Sequence, residues 1–376
     1  MGNGTKKCKR TKKGKPYYEG KFGRITVSLN HESELKVGFV YQDEVIPDIA
    51  GPPPAFLGAQ PDMFGPEQDE RLIASVSEEI WQDYLQNRYD MEAKAGLGSL
   101  EVVLKDGKTI PSHHQEANKS TRVRHFFTLA ANHPHDLEIR QEIRDGQKIV
   151  MIKKGNGAHV GDPVIHRQEI KLVCHVDEPI EIILAKLPDE YKEMLELKFD
   201  EKSEVSSTLE TNSMRQKSKV KTTLEYKGQM LDIYVEPARD IGSGTIKGTE
   251  KRWPIREFEA EVKGIYLVGS DIDIKDDPEI VGWTQDDIKQ IAIEVLGCEQ
   301  KLFIESAWNY LERAAGESSA RYGHITVQPI FDSKSKPGLK IQEEIMAEDP
   351  ELWAKVLDAA ACGGTVSHEE PVFKAA

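Results

Sequence analysis

Through residues 100–264 apolar side chains alternate with full charges rather than with neutral polar groups, and this constrains the fold more than any other feature of the chain. Leu137, Ile139 and Ile143 alternate with Glu138, Arg140, Glu142 and Arg144. Phe258, Ala260 and Val262 alternate with Glu257, Glu259, Glu261 and Lys263, and Val220 stands among Lys217, Lys219 and Lys221. Residues two apart on a strand share a face, so each strand has one apolar face and one ladder of charge. Two arrangements satisfy this pattern. One is an antiparallel sheet whose charged face meets water. The other is a closed barrel with a charged interior, whose basic ladders bind a polyphosphate and whose acidic ladder holds a divalent metal. Three carboxylates on one strand repel each other unless a cation or basic neighbours sit between them.

The rest of the chain reads as follows. Tyr17 to Tyr41 predicts short strands broken by a polar turn. Residues 46–66 hold six prolines, too many for a helix or a central strand, and form a linker or wrapping arm. Glu67 to Ala95 predicts a helix, with Leu72, Val76, Ile80 and Tyr84 at four-residue steps. Strands are predicted at Leu100–Leu104, Arg122–Leu129, Leu137–Arg144, Gln147–Lys153, Val164–Cys174, Lys219–Tyr226, Gln229–Val235 and Arg256–Leu267. Asp145-Gly146 and Lys227-Gly228 serve as two-residue hairpin turns. Pro188–Leu197 predicts a short helix and Ser203–Ser218 a loop. Beyond Ser270, helices are expected at Asp286–Leu296 (N-capped by Thr284), Lys301–Ala315 and Glu343–Ala361, with a strand at Ile325–Phe331. About eight antiparallel strands at short spacing point to a barrel or sandwich.

The expected fold is therefore α+β: a central antiparallel, tunnel-like β-barrel with a β/helix N-terminal region and a mostly helical C-terminal region. The expected division is a basic tail over 1–16, strands, linker and helix over 17–96, the barrel over 97–267 and the helical region over 268–376.

Charge is unevenly spread. The formal net charge is −14, yet Lys6, Lys7, Lys9, Arg10, Lys12, Lys13 and Lys15 precede the first acid at Glu19 and leave −21 on the remainder. Such an arm reads as a contact to nucleic-acid phosphates, a nuclear import signal, or a solvated tail that keeps the chain soluble. No stretch approaches the roughly 18 apolar residues of a membrane span, and the basic start lacks the apolar core of a signal peptide. An intracellular (cytoplasmic or nuclear) or virion location is expected, with no membrane contact. Cys8, Cys174, Cys298 and Cys362 are widely spaced, which excludes a disulfide scaffold and a zinc–thiolate site. Phosphate-loop, dinucleotide-binding and nucleophile-elbow motifs are missing. His113-His114 and His133-Pro134-His135 read as loop histidines or as transition-metal ligands, the proline leaving no fixed ligand face.

The order of charged strands over residues 100–264 resembles the triphosphate tunnel metalloenzymes, the CYTH superfamily. Family members open on a Glu-x-Glu-x-Lys strand, to which Glu101-Val102-Val103-Leu104-Lys105 is similar, with Val103 in place of the second Glu. Arg122-Val123-Arg124, the Leu137–Lys153 hairpin, Arg167-Gln168-Glu169, Lys219–Lys221 and Asp232-Ile233-Tyr234 resemble the strands that follow. Glu257-Phe258-Glu259-Ala260-Glu261 resembles the closing acidic strand. The resemblance implies a closed eight-stranded barrel acting on a triphosphate, on an RNA 5′ end or a nucleoside, with Mg or Mn. It implies that Glu101, Glu257, Glu259 and Glu261 hold the metal, and that Arg122, Arg124, Arg140, Lys153, Arg167, Lys219 and Lys221 bind the substrate. Glu169 and Lys105 are the implied catalytic residues, and the basic tail steers RNA toward the barrel. Two other readings stand beside it. One is a barrel that binds a triphosphate without cleaving it. The other is a non-catalytic viral coat or assembly protein whose basic arm contacts nucleic acid.

Overall fold

The structure is a computed structural model, which describes residues 9–10, 16–41, 76–88, 101–103, 109–111, 118–129, 137–154, 164–197, 199, 205–322, 325–329 and 334–362. Its strands are β1 (Lys9–Arg10), β2 (Pro16–Glu19), β3 (Arg24–Tyr41), β4 (Glu101–Val103), β5 (Thr109–Pro111), β6 (Asn118–Leu129), β7 (Leu137–Arg144), β8 (Gln147–Lys154), β9 (Val164–His175), β10 (Val205–Lys217), β11 (Val220–Tyr226), β12 (Gln229–Ile246), β13 (Arg252–Leu267) and β14 (Ile325–Pro329). The helices are α1 (76–88), α2 (Ile180–Ala185), α3 (Asp189–Met194), α4 (Gln285–Tyr322), α5 (Lys336–Glu348) and α6 (Pro350–Cys362).

Eight strands close a barrel in the order β3-β13-β12-β10-β6-β7-β8-β9, with β9 pairing back to β3 and every neighbour antiparallel. Closure removes the free edges of the sheet. Outside the circuit, β11 pairs with β12, β14 and β2 with β3, and β1 with β2. Asp145 and Gly146 both take positive φ, 52° and 71°, the left-handed pair a two-residue hairpin requires.

The barrel is apolar outside and charged inside. Leu35, Val37, Ile233, Val235, Phe258, Ala260 and Val262 face outward, against Val76, Ile80, Trp81 and Tyr84 of α1 and Ile288, Ile291 and Phe303 of α4. Trp81 stacks on Phe258 with ring centroids 5.9 Å apart. A second outward cluster joins Ile25, Val27, Ile139, Val150, Ile152, Ile170 and Leu172 to Ile180, Ile183 and Leu184 of α2 and to Leu187 and Leu195 beside α3. A third cluster lies on the inward strand face at one end of the barrel and joins Phe126, Leu209, Ile246 and Trp253 to Ile345 of α5 and Val356 of α6. The helices cover a surface that water would otherwise meet. Ile139 is buried in this shell, so Ile139→Val removes one methylene and costs about 1 kcal/mol, measured as a lower midpoint in urea unfolding.

Several expectations are corrected. Glu101–Val103 is not a barrel strand: it pairs only with β5, in a separate two-stranded sheet. Its expected place belongs to β3, which runs unbroken through the residues read as a polar turn. Ser203–Ser218, read as a loop, is largely β10. Its inward Thr211 and Ser213 are buried, so the strand lacks the apolar alternation that marks one. The helices expected at 286–296 and 301–315 are one, α4. Thr284 caps it as expected: its Oγ1 accepts from the Asp287 N–H at 3.3 Å, and its own N–H donates to the Asp287 carboxylate at 3.0 Å. The last helix is two, because Pro350 lacks an N–H and disfavours helical geometry at Asp349. The prolines of 46–66 and the paired histidines lie outside the described residues, as do Lys6, Lys7, Lys12, Lys13 and Lys15, while Lys9 and Arg10 form β1. Among the described residues no helix is long and apolar enough to cross a membrane.

Candidate functional site in the barrel interior

The inward face of the barrel encloses a cavity of about 300 Å³. Among the described residues twelve Lys and Arg and eight Glu line it, and Met151 is the one apolar residue in its wall. Strand parity explains this. On β13 the odd positions Glu259, Glu261 and Lys263 face in while Phe258, Ala260 and Val262 face out; on β7 the even positions Glu138, Arg140, Glu142 and Arg144 face in. The charge ladders of the sequence are therefore interior walls, not solvated faces.

Antiparallel pairing interleaves the two signs. Register sets Lys36 of β3 opposite Glu259 of β13 and Glu34 opposite Glu261. Lys153 of β8 donates to both oxygens of Glu32 at 2.7 and 2.5 Å and lies 3.4 Å from Glu169. Arg167 pairs with Glu34, which Lys36 also approaches at 3.4 Å. Arg140 lies 3.5 Å from Glu138, Arg144 pairs with Glu142, and Lys263 pairs with Glu261. Lys217 reaches Glu236 at 2.6 Å. Arg215 pairs with Glu259 and lies 3.4 Å from Asp240, and Arg124 lies 3.6 Å from both Asp240 and Glu142.

Every wall carboxylate thus has a basic partner, but not every base has an acid. Among the described residues Arg122 and Lys171 line the cavity with no carboxylate within 4.0 Å. Burial, with Arg215 and Arg124 nearby, pushes the Arg122 guanidinium down to about 9. Burial and Arg144 lower Lys171 as well. Two half-buried positive charges that face carboxylates only beyond contact distance, Arg122 toward Glu142 and Lys171 toward Glu169, can accept an anion without giving up an ion pair.

The carboxylates divide into two groups. Glu32 is pushed up to about 7 by burial and by Glu34, with Glu261 and Glu169 adding to the crowding against Lys153. The other group is Asp240, Glu257 and Glu259, all buried, with one oxygen from each lying within 4.8 Å of the others. Their spacing suits an ion, but Lys334 sits among them, its Nζ 2.5 Å from Asp240 and 2.7 Å from both Glu257 and Glu259. Burial alone would raise Asp240; Lys334, Arg124 and Arg215 hold it well below the usual carboxylate range.

Of the residues singled out in the sequence, Arg122, Arg124, Arg140, Lys153, Arg167, Glu169, Glu259 and Glu261 line the cavity, and Glu257 is buried in the acidic trio. Lys219 and Lys221 do not line it. Lys219 stands 4.4 Å over the Tyr234 ring, and Lys221 pairs with Asp232 at 2.8 Å and is half exposed. Arg215 and Lys217 line the cavity instead, because Ser218 breaks the strand and parity does not carry across the break. Glu101 lies on the small separate sheet, and Lys105 lies outside the described residues. Sequence reading missed Glu32, Glu34 and Lys36, although Glu32-Ser33-Glu34-Leu35-Lys36 is an intact Glu-x-Glu-x-Lys. It also missed Asp240, Glu236 and Lys334.

No protein-family model matches the chain, and no curated protein matches it. Among solved structures the chain is similar to the S. pombe Pct1 RNA triphosphatase, solved in complex with the Spt5 CTD. The identity is 8% and the TM-score 0.23, over 73% of this chain and 84% of that one. A likeness at that level adds no weight to any function.

Proposed function

We propose that the barrel binds the triphosphate of a nucleoside or an RNA 5′ end in its interior and hydrolyses it with the help of Mg or Mn. The observation that carries this reading is the cavity wall: of the twenty-one described residues that line it twenty are charged, with four more positive than negative. Small-molecule pockets are ordinarily apolar with a few placed polar groups. A wall of this kind suits a ligand that is itself charged on every side, as a phosphate chain with its cation is. The cavity volume lies at the low end for ligand sites, so it suits the phosphates while the rest of the substrate stays outside.

In this reading Arg122 and Lys171 meet the first phosphate charges, since neither gives up a partner to do so. Arg124, Arg140, Lys153 and Arg167 follow by exchanging a carboxylate for a phosphate oxygen. The carboxylates so released on β3, Glu32 and Glu34, together with Glu261 of β13, offer the all-oxygen donors that hard divalent cations prefer. The crowding that raises Glu32 marks a place where a cation would relieve repulsion. Bound there, Mg or Mn would supply positive charge to the terminal phosphate oxygens. Glu169 is held below the usual carboxylate range, against its burial, by Lys153 and Arg140, so it is ionised at neutral pH and able to take a proton from an attacking water.

Release of phosphate from a nucleoside triphosphate and from triphosphate-ended RNA tests this. Release is expected to require Mg or Mn and to fall about a hundredfold in Glu169→Gln with binding retained. No metal-dependent release by the wild type removes the catalytic part of the reading. A pH dependence is also expected. Glu32 keeps its proton below about 7, and an ion must displace it. Mn affinity should therefore rise with pH by up to roughly tenfold per unit until about 7 and level off above it. Calorimetric titration checks this, and Glu32→Gln should flatten the profile.

A further inference from the structure

The C-terminal helices bring one charge into the barrel. Lys334 directly precedes the α5 N-terminus, and its side chain is 4% exposed. Its Nζ makes contacts of 2.5, 2.7 and 2.7 Å to Asp240, Glu257 and Glu259. The ammonium donates to Asp240 and lies in ion-pair contact with Glu257 and Glu259.

Asp240 also faces Arg124 at 3.6 Å and Arg215 at 3.4 Å, and Arg215 pairs with Glu259. Both arginines are shared, Arg124 with Glu142 and Arg215 with Glu236, so among the described residues Lys334 is the cation that meets all three carboxylates. A divalent ion beside it would set like charges against each other in a buried corner, whereas loss of Lys334 takes that shared cation away. The lysine is also held in place from behind. Trp253 Nε1–H donates to the Lys334 carbonyl at 2.8 Å. Gly338 packs flat on the Trp253 ring, where a Cβ would stand 2.4 Å from it. Thr208 Oγ1 donates to Gln342 Oε1 at 2.6 Å, tying α5 to β10. None of these contacts involves the cavity; they fix where the lysine enters.

We propose that Lys334 is a built-in substitute for a divalent ion at the Asp240–Glu257–Glu259 corner, closing it to metal, and that α5 serves to hold it there. This stands on the geometry of the corner alone, whether or not the barrel cleaves a triphosphate.

The test counts Mn²⁺ ions bound to the full chain by electron paramagnetic resonance, without phosphate. Lys334→Ala is expected to bind one more ion per chain than the wild type, and adding Asp240→Asn should abolish the gain. Lys334→Met, which keeps the bulk of the stem, should behave the same way. A variant that folds only when Mn²⁺ is supplied also supports the proposal. Three results overturn it. One is no additional ion in either Lys334 variant. A second is a variant that neither folds nor is rescued by Mn²⁺. The third is loss of an ion when Asp240→Asn is made in the wild-type background, for then the corner already holds metal.

Discussion

Replacing Arg215 with alanine should cost about 3–5 kcal/mol of folding stability, the loss seen when one member of a buried ion pair is removed. Arg215 is 5% exposed. It pairs with Glu259 and lies 3.4 Å from Asp240 and 3.9 Å from Glu236, three acids on two barrel strands. Burial opposes its charge, yet Glu259 and Asp240 raise its pKa well above the ordinary arginine value. Without it those carboxylates either stay charged in a low-dielectric interior or take up protons, and both outcomes penalise the folded state. Denaturant unfolding at neutral pH measures the loss, and part of it should be recovered at acid pH, where the orphaned carboxylates protonate. A loss below about 1 kcal/mol would mean that water solvates the interior as it does a surface pair.

The second large effect has the opposite character. Arg122→Gln combined with Lys171→Gln should leave stability unchanged or slightly higher, because neither cation has a carboxylate in contact, and Glu142, which Arg122 faces at longer range, keeps Arg144 and Arg124. Affinity for tripolyphosphate should nevertheless fall about a thousandfold. Each charge-assisted contact to phosphate contributes about 1.5–3 kcal/mol, so two together give a loss of that order. On the proposed reading, the cations in contact with acids build the barrel and the two without such contacts serve the ligand. The double variant separates the two roles in one protein, with unfolding for the first and calorimetry for the second.

How much of this was legible in the sequence depended on periodicity. The ladders at 137–144 and 257–263 announced the charged walls, and Asp145-Gly146, Lys227-Gly228 and Thr284 marked turns and a cap that the structure contains. The losses share one physical cause. A strand whose inner face is charged looks like a loop wherever its outer face is also polar. Asn30-His31-Glu32-Ser33 therefore read as a turn, though β3 runs through it. Thr211-Asn212-Ser213 read as a loop within β10 for the same reason. A turn there divides β3 and hides its Glu32-Ser33-Glu34-Leu35-Lys36 run, which leaves Glu101 as the nearest sequence match. Lys334 carries no periodic signal at all, because a helix start and not a strand delivers it, and only the three-dimensional arrangement brings it to Asp240.

The central claim is that the cavity is a phosphate-chain site made from unpaired bases. Calorimetric titration of the wild-type chain with inorganic tripolyphosphate tests it most directly. Saturable binding of one tripolyphosphate per chain, tightened by Mg and lost in the Arg122/Lys171 double variant, is the predicted result. No binding by the wild type, or equal binding by wild type and double variant, would contradict it.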